Sequence, residues 1–273
     1  MLRGWLVAVA ILVGVGCSFA AESSPLAGEK RWEDGRKFLA EGKAAEAKAA
    51  FEELLRDYPK EADLHLFLGI SFLRLRDPQA AETAIKRAIA ADPNHAEART
   101  LLGWVHSEIH GDFDAAIKEY TQVVILRPNV PEAYNNLGVA LKRKGELERA
   151  AESFSEALEQ RPVYSAALSN RGWVLADQGK WQEARRDFER ALEHNPNNDG
   201  ALFGLSQALR EARDYPGAQQ ALSRLISRSP NFVYWLEWGR IGLIRYYWVL
   251  LLVAVALFVK GRLRKARKQP NGG

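Results

Sequence analysis

The sequence predicts an all-α fold, an array of six similar helix pairs followed by one long apolar helix, and three observations lead to it. Prolines recur at intervals of 34 or 35 residues through most of the 273-residue chain. Each interval carries the same small and bulky apolar positions. The end of the chain holds an apolar run followed by basic residues. A fixed period of this length is typical of repeat proteins, whose neighbouring units bury one another's apolar faces.

Four positions define the repeated unit. The prolines are Pro59, Pro93, Pro128, Pro162, Pro196 and Pro230. Twelve residues before them stand Ala47, Ala81, Ala116, Ala150, Ala184 and Ala218, and eight before them Phe51, Ile85, Tyr120, Phe154, Phe188 and Leu222. Small residues recur earlier, at Gly35, Gly69, Gly103, Gly138, Gly172 and Ser206. The gap from the small residue to the alanine is twelve positions in five units and thirteen in the third.

Each unit is predicted to be two amphipathic helices joined by a short turn. The small residues and alanines let two helix backbones approach closely, and the bulky residue fills the gap between neighbouring units. The proline cannot donate a helical hydrogen bond, so it ends the second helix. The predicted units cover residues 28–230, at about 28–61, 62–95, 96–130, 131–164, 165–198 and 199–232.

These positions resemble the tetratricopeptide repeat, whose pattern is W-x2-L-G-x2-Y, then A-x3-F, then P at a period of 34 residues. The fourth unit matches it closely, from Tyr134 through Leu137 and Gly138 to Phe154 and Pro162. The chain departs from the pattern at a few positions. Asp34 and Arg171 replace the leucine before the glycine, His106 replaces the aromatic residue after it, and Ser206 replaces the glycine itself. The resemblance implies a right-handed superhelical solenoid whose concave groove binds proteins or peptides, without a cofactor.

The resemblance also implies which residues line that groove. Trp104 and Trp173 follow the small residue without being required by the repeat pattern, so they are candidate anchors, with packing between repeats as the alternative. Three asparagines are candidates for bonding the backbone of an extended peptide, and four cationic side chains favour acidic residues in it. The predicted partner-binding residues are Arg36, Arg74, Trp104, Asn135, Asn136, Lys142, Arg143, Asn170 and Trp173.

One variant of the family binds acidic C-terminal peptides of chaperones through a clamp of Lys, Asn, Asn, Lys and Arg. Asn136 and Asn170 match its middle asparagine. Trp104 and Val139 stand where its first asparagine would be, and Ala166 and Gly200 where a lysine would be. This groove is therefore predicted to bind a purely acidic tail poorly.

Motifs for catalysis or nucleic-acid binding are not found. The sequence lacks a phosphate-binding loop, a G-x-S-x-G elbow and an H-E-x-x-H motif. His106 and His110 have the spacing of a ligand pair, but the sequence identifies no third ligand. Residues 22–240 carry 30 basic and 34 acidic side chains, a balance that argues against binding to nucleic acid. We therefore predict neither an enzyme nor a metal protein.

The N-terminus predicts a secretory signal peptide over residues 1–20. Arg3 precedes an apolar run from Trp5 to Val15, and Ser18 and Ala20 have the spacing that a signal peptidase reads. The run is shorter than the roughly 20 residues of a membrane span. An alternative is a lipoprotein whose acylated residue is Cys17, the single cysteine of the chain.

The C-terminal segment predicts a transmembrane helix. Counted from Ile241 to Val259, it holds 19 residues and is about 28 Å long as a helix, close to the ~30 Å of a hydrocarbon core. Arg245 then lies one turn inside the boundary, with its guanidinium reaching outward. Trp235, Trp238, Tyr246, Tyr247 and Trp248 form the aromatic belt expected at one interface. Residues 231–240 are predicted to cap the repeats, and the basic tail, residues 260–273, to be cytoplasmic.

Together the two ends predict a single-pass protein of a bacterial inner membrane. The repeats lie in the periplasm and serve as a non-catalytic scaffold for partner proteins, and assembly of several copies is compatible with this interpretation. The alternative is a tail-anchored cytosolic receptor or chaperone cofactor, which requires the N-terminal apolar run to be something other than a signal peptide.

Overall fold

A computed structural model describes Leu26 and residues 29–267 of the chain, and within these residues it contains helices and no strand. Thirteen helices are present in this part, named here in chain order. They are α1 (Lys30–Ala40), α2 (Ala44–Asp57), α3 (Ala62–Arg74), α4 (Pro78–Ala91), α5 (Ala96–Trp104, continued by Val105–His110), α6 (Phe113–Leu126), α7 (Pro131–Lys144), α8 (Leu147–Gln160), α9 (Ser165–Asp177), α10 (Trp181–His194), α11 (Asp199–Glu211), α12 (Tyr215–Arg228) and α13 (Phe232–Arg267). The all-α prediction is confirmed.

Polar side chains begin several of the helices. Asp77, Asp112 and Asp214 precede the second helices of their pairs, and each carboxylate accepts a hydrogen bond of 3.0 Å from the backbone N–H three residues later. The Asn198 side chain caps α11 in the same way. Such caps satisfy N–H groups that lack a partner within the helix, so the sequence fixes where these helices start.

The turn inside each pair uses one residue with a left-handed backbone. In four repeats it is glycine, for example Gly145 with φ of +91°. In repeats two and six it is an arginine, Arg76 with φ of +63° and Arg213 with φ of +61°. Because a Cβ atom disfavours this conformation, the two arginine turns carry a backbone cost that the glycine turns avoid.

The described residues fall into two compact units, which divide between Arg161 and Pro162. In the first unit, the bulky residue of the second helix lies directly against the small residue of the first. A Cβ atom built on Gly138 would be 2.7 Å from the Phe154 ring, and one built on Gly69 would be 2.7 Å from Ile85. The repeated alanines and the phenylalanines Phe51 and Phe154 are fully buried. The close helix contact predicted from the small residues is therefore present.

The second unit packs in the same way across two successive repeats. Phe188 of α10 fills the space beside Gly172 in its own repeat and also lies against Gly204 of the next. Gly204 thus provides a close contact although Ser206 occupies the usual glycine position. Where Arg171 replaces the leucine, its guanidinium forms two hydrogen bonds, 2.7 and 2.9 Å long, with the buried carboxylate of Asp187.

The extra residue of the third repeat lies at the end of its first helix. After Trp104, α5 continues as a π-helical turn, Val105–His110, and Gly111 ends it with a φ of +66°. A π-helical turn adds one residue to a helix without breaking it. This turn explains the single 35-residue interval.

Helix α13 packs its first part against α12 and leaves its later part exposed. From Leu251 to Val259 every side chain is exposed. No unbroken helix of the described residues is long and apolar enough to cross a membrane, but the two arms Phe232–Val249 and Leu251–Lys260 are so when taken together, across a bend of 42°. The predicted signal peptide, Cys17 and residues 268–273 lie outside the described residues.

Candidate functional site

Trp104, the predicted anchor of the first unit, lies in a buried hydrophobic cluster. Trp32, Leu66 and Ile70 are buried in the same cluster. The side chain of Trp104 is only 6% exposed, which leaves little of its indole for a partner. The burial of Trp104 favours the packing alternative, since the same cluster holds Leu66 and Ile70 of α3, the first helix of the preceding repeat. Binding of a partner by Trp104 stays a prediction.

The predicted cationic residues of the first unit form ion pairs or cap helices. Arg36 lies 3.4 Å from Glu33, and Arg143 lies 2.6 Å from Glu108 in the π-helical turn. Arg74 donates a hydrogen bond to the carbonyl of Leu39, near the end of α1. These three guanidinium groups remain partly exposed, but a ligand would have to compete with the partners they already have.

The amide residues and Lys142 differ in their accessibility. Asn135 is buried, whereas Asn136 and Lys142 are half-buried on the same helix, α7. Asn136 and Lys142 therefore keep part of their surface exposed on the first unit, and Asn135 keeps little.

In the second unit, Trp173 belongs to a row of aromatic rings, the aromatic row Phe188, Trp173, Phe203 and Tyr234. Successive ring centroids lie 5.4, 5.9 and 5.4 Å apart. The Trp173 indole N–H donates a 3.2 Å hydrogen bond to the carbonyl of Gly200. Trp173 is half-buried, as is Asn170 one turn earlier. Trp173 thus contributes to packing and retains exposed surface.

A charged cluster in the first unit was missed by the sequence analysis. The His95 ring donates hydrogen bonds of 3.1 Å to Asp63 and 3.2 Å to Glu97, and Arg127 lies 2.6 Å from Glu97. Burial opposes the charge of His95, but the two carboxylates outweigh it and raise the pKa of His95 from 6.5 to about 9. The same contacts with His95 and Arg127 outweigh burial at Glu97 and hold the pKa of its carboxyl at about 2.

A pattern in the sequence could have revealed this cluster. An acidic residue stands six positions before the small residue in the first four repeats and not in the last two. The four acids are Glu29, Asp63, Glu97 and Glu132. Each lies at or near the start of a first helix, where the helix dipole favours negative charge.

The histidine pair of the third repeat has ordinary surroundings. The ring centroids of His106 and His110 lie 6.0 Å apart, and His110 bonds Glu82 at 3.0 Å. Among the residues that the structure describes, no group of three or more His, Cys, Asp or Glu side chains has the geometry to hold a metal ion.

Comparison with known proteins gives one family match. The model of the tetratricopeptide repeat protein 21 N-terminal ARM repeat matches residues 38–237. BBS4 of Bos taurus, a member of the BBSome complex, is 28% identical over 105 residues, which are 38% of this chain and 20% of that protein. The chain thus matches only a fifth of this relative.

Solved structures of similar fold include those of PilF, MamA and YrrB. PilF of Pseudomonas aeruginosa has a TM-score of 0.69 at 19% identity, covering 78% of this chain and 96% of PilF. MamA has a TM-score of 0.55 at 26% identity, covering 59% and 94%. YrrB, described as a TPR protein with an unusual peptide-binding site, has a TM-score of 0.56 at 17% identity, covering 70% and 98%.

Proposed function

Because this chain belongs to the family of the tetratricopeptide repeat protein 21 N-terminal ARM repeat, we propose that it is a non-catalytic scaffold that binds partner proteins beside a membrane. The observation that carries this proposal is a difference in burial. The repeated alanines and bulky residues are buried between the helices of each unit, whereas the apolar side chains of α13 from Leu251 to Val259 are exposed. A stacked array offers long helical surfaces to partners.

The surface that binds a partner is proposed to include Trp173 in the second unit. Its indole combines a large apolar face with retained exposure, which is the property of residues that dominate binding energy. In the first unit Asn136, Lys142 and Arg143 are proposed to contribute polar contacts. YrrB, with its described peptide-binding site, and BBS4, a member of a complex, support an interaction role.

The proposed ligand combines apolar and acidic residues. On the second unit, an apolar residue of a ligand matches the Trp173 indole. On the first unit, an acidic residue of a ligand matches the cationic groups, which must then exchange partners such as Glu108. A purely acidic tail is expected to bind poorly, because the groove lacks the clamp residues that would hold it.

Membrane anchoring and topology are proposed from the two ends of the chain. The N-terminal sequence has the features of a signal peptide, and the exposed apolar side chains of α13 precede a cluster of basic residues. We propose that the repeats lie outside the cytoplasm and the basic tail inside it. The alternative remains a tail-anchored cytosolic receptor.

A pair of reporter fusions tests the topology. A reporter active only outside the cytoplasm, fused after Pro230, is expected to be active, and the same reporter after Lys268 is expected to be inactive. The reverse pattern would support the cytosolic alternative.

Partner binding is tested with two tryptophan variants of the second unit. Trp173→Ala is expected to weaken capture of partner proteins from detergent-solubilised membranes by more than about fivefold, which is about 1 kcal/mol. Trp181→Ala is the matched control, since Trp181 is also half-buried but begins α10 outside the aromatic row. Circular dichroism must show equal helix content in both. Equal capture by the two variants would exclude Trp173 from the binding surface.

A further inference from the structure

We infer that the lipid-embedded part of α13 begins near Tyr246, not at Ile241, and that the turn between α11 and α12 lies at the lipid headgroups. This inference rests on the proposed membrane anchoring and deepens it, because it names the surface of the repeat array that faces the bilayer.

The first step is the contact between α12 and α13. The Trp238 indole N–H donates a 3.1 Å hydrogen bond to the Ser223 hydroxyl, and the Gln219 amide donates one of 3.4 Å to the Trp238 carbonyl. Ile241, three residues after Trp238 in α13, is fully buried. Helix α13 is thus packed on the last repeat through Ile241.

The contact continues one turn further, to Arg245. Its guanidinium donates a 3.3 Å hydrogen bond to the Gln219 side-chain oxygen and lies 4.9 Å from the centre of the Tyr246 ring. The sequence led us to expect this arginine inside the membrane boundary with its side chain directed outward. In the structure Arg245 instead binds a polar residue of the repeats.

The second step is the direction of the two helices. Ser223 lies beside Trp238, and Gln219 lies beside Arg245, so α12 and α13 run antiparallel. The first residue of α12, Tyr215, comes four residues before Gln219, which is about 6 Å further along the helix axis. Counted from the contact of Gln219 with Arg245, Tyr215 is level with about Val249, and counted from the contact of Ser223 with Trp238, with about Tyr246. The turn before α12 is therefore level with Tyr246 to Val249.

That turn cannot enter hydrocarbon at low cost. It carries the exposed charged residues Arg213 and Asp214. If Ile241 lay at the start of the hydrocarbon, Gln219 and both charged residues would be submerged with it, and charged groups in hydrocarbon are strongly disfavoured. The bilayer surface must therefore lie at or beyond the level of the turn.

The residues that follow fit this boundary. Tyr246, Tyr247 and Trp248 are exposed in the first turn beyond the contact, where aromatic side chains sit at a lipid interface. From Tyr246 to Val259 the chain has 14 residues. As a helix they span at most about 21 Å, and less across the bend of 42° after Val249, against the ~30 Å of a hydrocarbon core. A short span is accommodated by local thinning of the bilayer and by flanking side chains such as Lys260 reaching the headgroups.

Two leucines of α13 provide a matched test. Leu243 and Leu251 are 63% and 61% exposed, so neither substitution disturbs a packed side chain. In the full chain with Cys17→Ser, we would introduce Leu243→Cys or Leu251→Cys and treat spheroplasts and inverted membranes with a membrane-impermeant maleimide. Leu236→Cys, at 56% exposure, marks the side on which the repeats lie.

The expected result is that Leu243→Cys is labelled on the same side as Leu236→Cys, and that Leu251→Cys is labelled only after the membrane is dissolved and the protein denatured. If Leu243→Cys is protected like Leu251→Cys, the boundary lies at Ile241 and the inference is overturned, while anchoring stands. If all three are labelled in intact membranes, the helix is not embedded and the proposed anchoring itself fails.

The position of the turn is tested by fluorescence in the purified full chain. A fluorophore on Arg213→Cys, in phosphatidylcholine vesicles that contain a nitroxide on the lipid headgroup, is expected to be quenched at least twofold more than one on Asn197→Cys. Asn197 is exposed at the opposite end of α11 in the same unit. Equal quenching at the two sites would show that the turn does not lie at the headgroups.

Discussion

The junction between repeats two and three and the junction between repeats five and six solve the same packing problem with different chemistry. The residue two positions after the repeat proline is His95 in the first case and Asn198 in the second. His95 is ion-paired with Asp63 and Glu97. Asn198 donates neutral hydrogen bonds of 3.1 and 3.3 Å to the hydroxyl and carbonyl of Ser165.

This difference shows what the repeat pattern leaves free. The buried alanines and bulky residues are common to both junctions, whereas the polar contacts beside them vary with the local residues. One junction depends on titratable groups and the other does not. Stability should therefore depend on pH at the first junction alone, while loss of a bulky residue should harm either unit.

The largest expected effect is the loss of a ring shared by two repeats. Phe188→Ala should lower the free energy of unfolding by about 3–5 kcal/mol, because it removes a fully buried ring and leaves a cavity. Phe154→Ala is the comparison in the first unit. Phe188 also contacts Gly204 of the next repeat, so its loss should cost more.

Hydrogen exchange of the full chain in detergent, read by mass spectrometry, would locate the damage. Faster exchange from Phe188→Ala should be concentrated in α9 to α12, and faster exchange from Phe154→Ala in α7 and α8. If both substitutions affect all helices equally, the two units do not respond separately and the comparison fails.

A smaller loss is expected from the ion pair that replaces a leucine in the fifth repeat. Asp187→Ala should cost about 2–3 kcal/mol, because it leaves the half-buried Arg171 without its carboxylate. The double variant with Arg171→Leu restores the usual residue of the repeat and should unfold within about 1 kcal/mol of the parent. Thermal melting monitored by circular dichroism compares the three chains. A double variant as unstable as the single one would argue against this pairing.

The next effect depends on pH and separates the two junctions directly. Because the folded pKa of His95 is raised above 6.5 to about 9, its stabilisation is fully present below pH 6.5 and is lost as the pH rises through 9. His95→Asn, which copies the residue of the other junction, should remove about 1–2 kcal/mol at pH 6 and almost nothing at pH 10. Denaturant titrations at the two pH values measure this difference. A constant loss across that range would mean that His95 is neutral in the folded chain.

Most of the fold could be predicted from the sequence because the same residue types recur at the same positions in all six repeats. A period shared by six prolines and six alanines defines the helix pairs without knowledge of any single contact. The position of the π-helical turn was not predictable. The gap of thirteen residues from Gly103 to Ala116 shows that one residue is extra, but it does not show which part of the backbone accommodates that residue.

The candidate site was less predictable, for a physical reason. Trp104 and Trp173 occupy the same position of the repeat, yet one is buried and the other half-buried. Their exposure depends on the side chains of the neighbouring first helix, which the repeat pattern does not specify. The role of His95 was missed because the two carboxylates that it contacts come from different helix pairs. Asp63 lies 32 residues before His95 in the sequence.

The smallest expected effect concerns the turns, which should respond alike in both units. Arg76→Gly and Arg213→Gly should each stabilise the chain by about 0.5–1 kcal/mol, since glycine adopts a positive φ without the cost of a Cβ atom. Part of the gain is offset because glycine also makes the unfolded chain more flexible. Gly145→Ala is the control in the opposite direction and should destabilise by a similar amount. Melting temperatures of the three variants decide the matter. If both arginine variants melt lower than the parent, the arginine side chains stabilise their turns by more than the left-handed backbone costs.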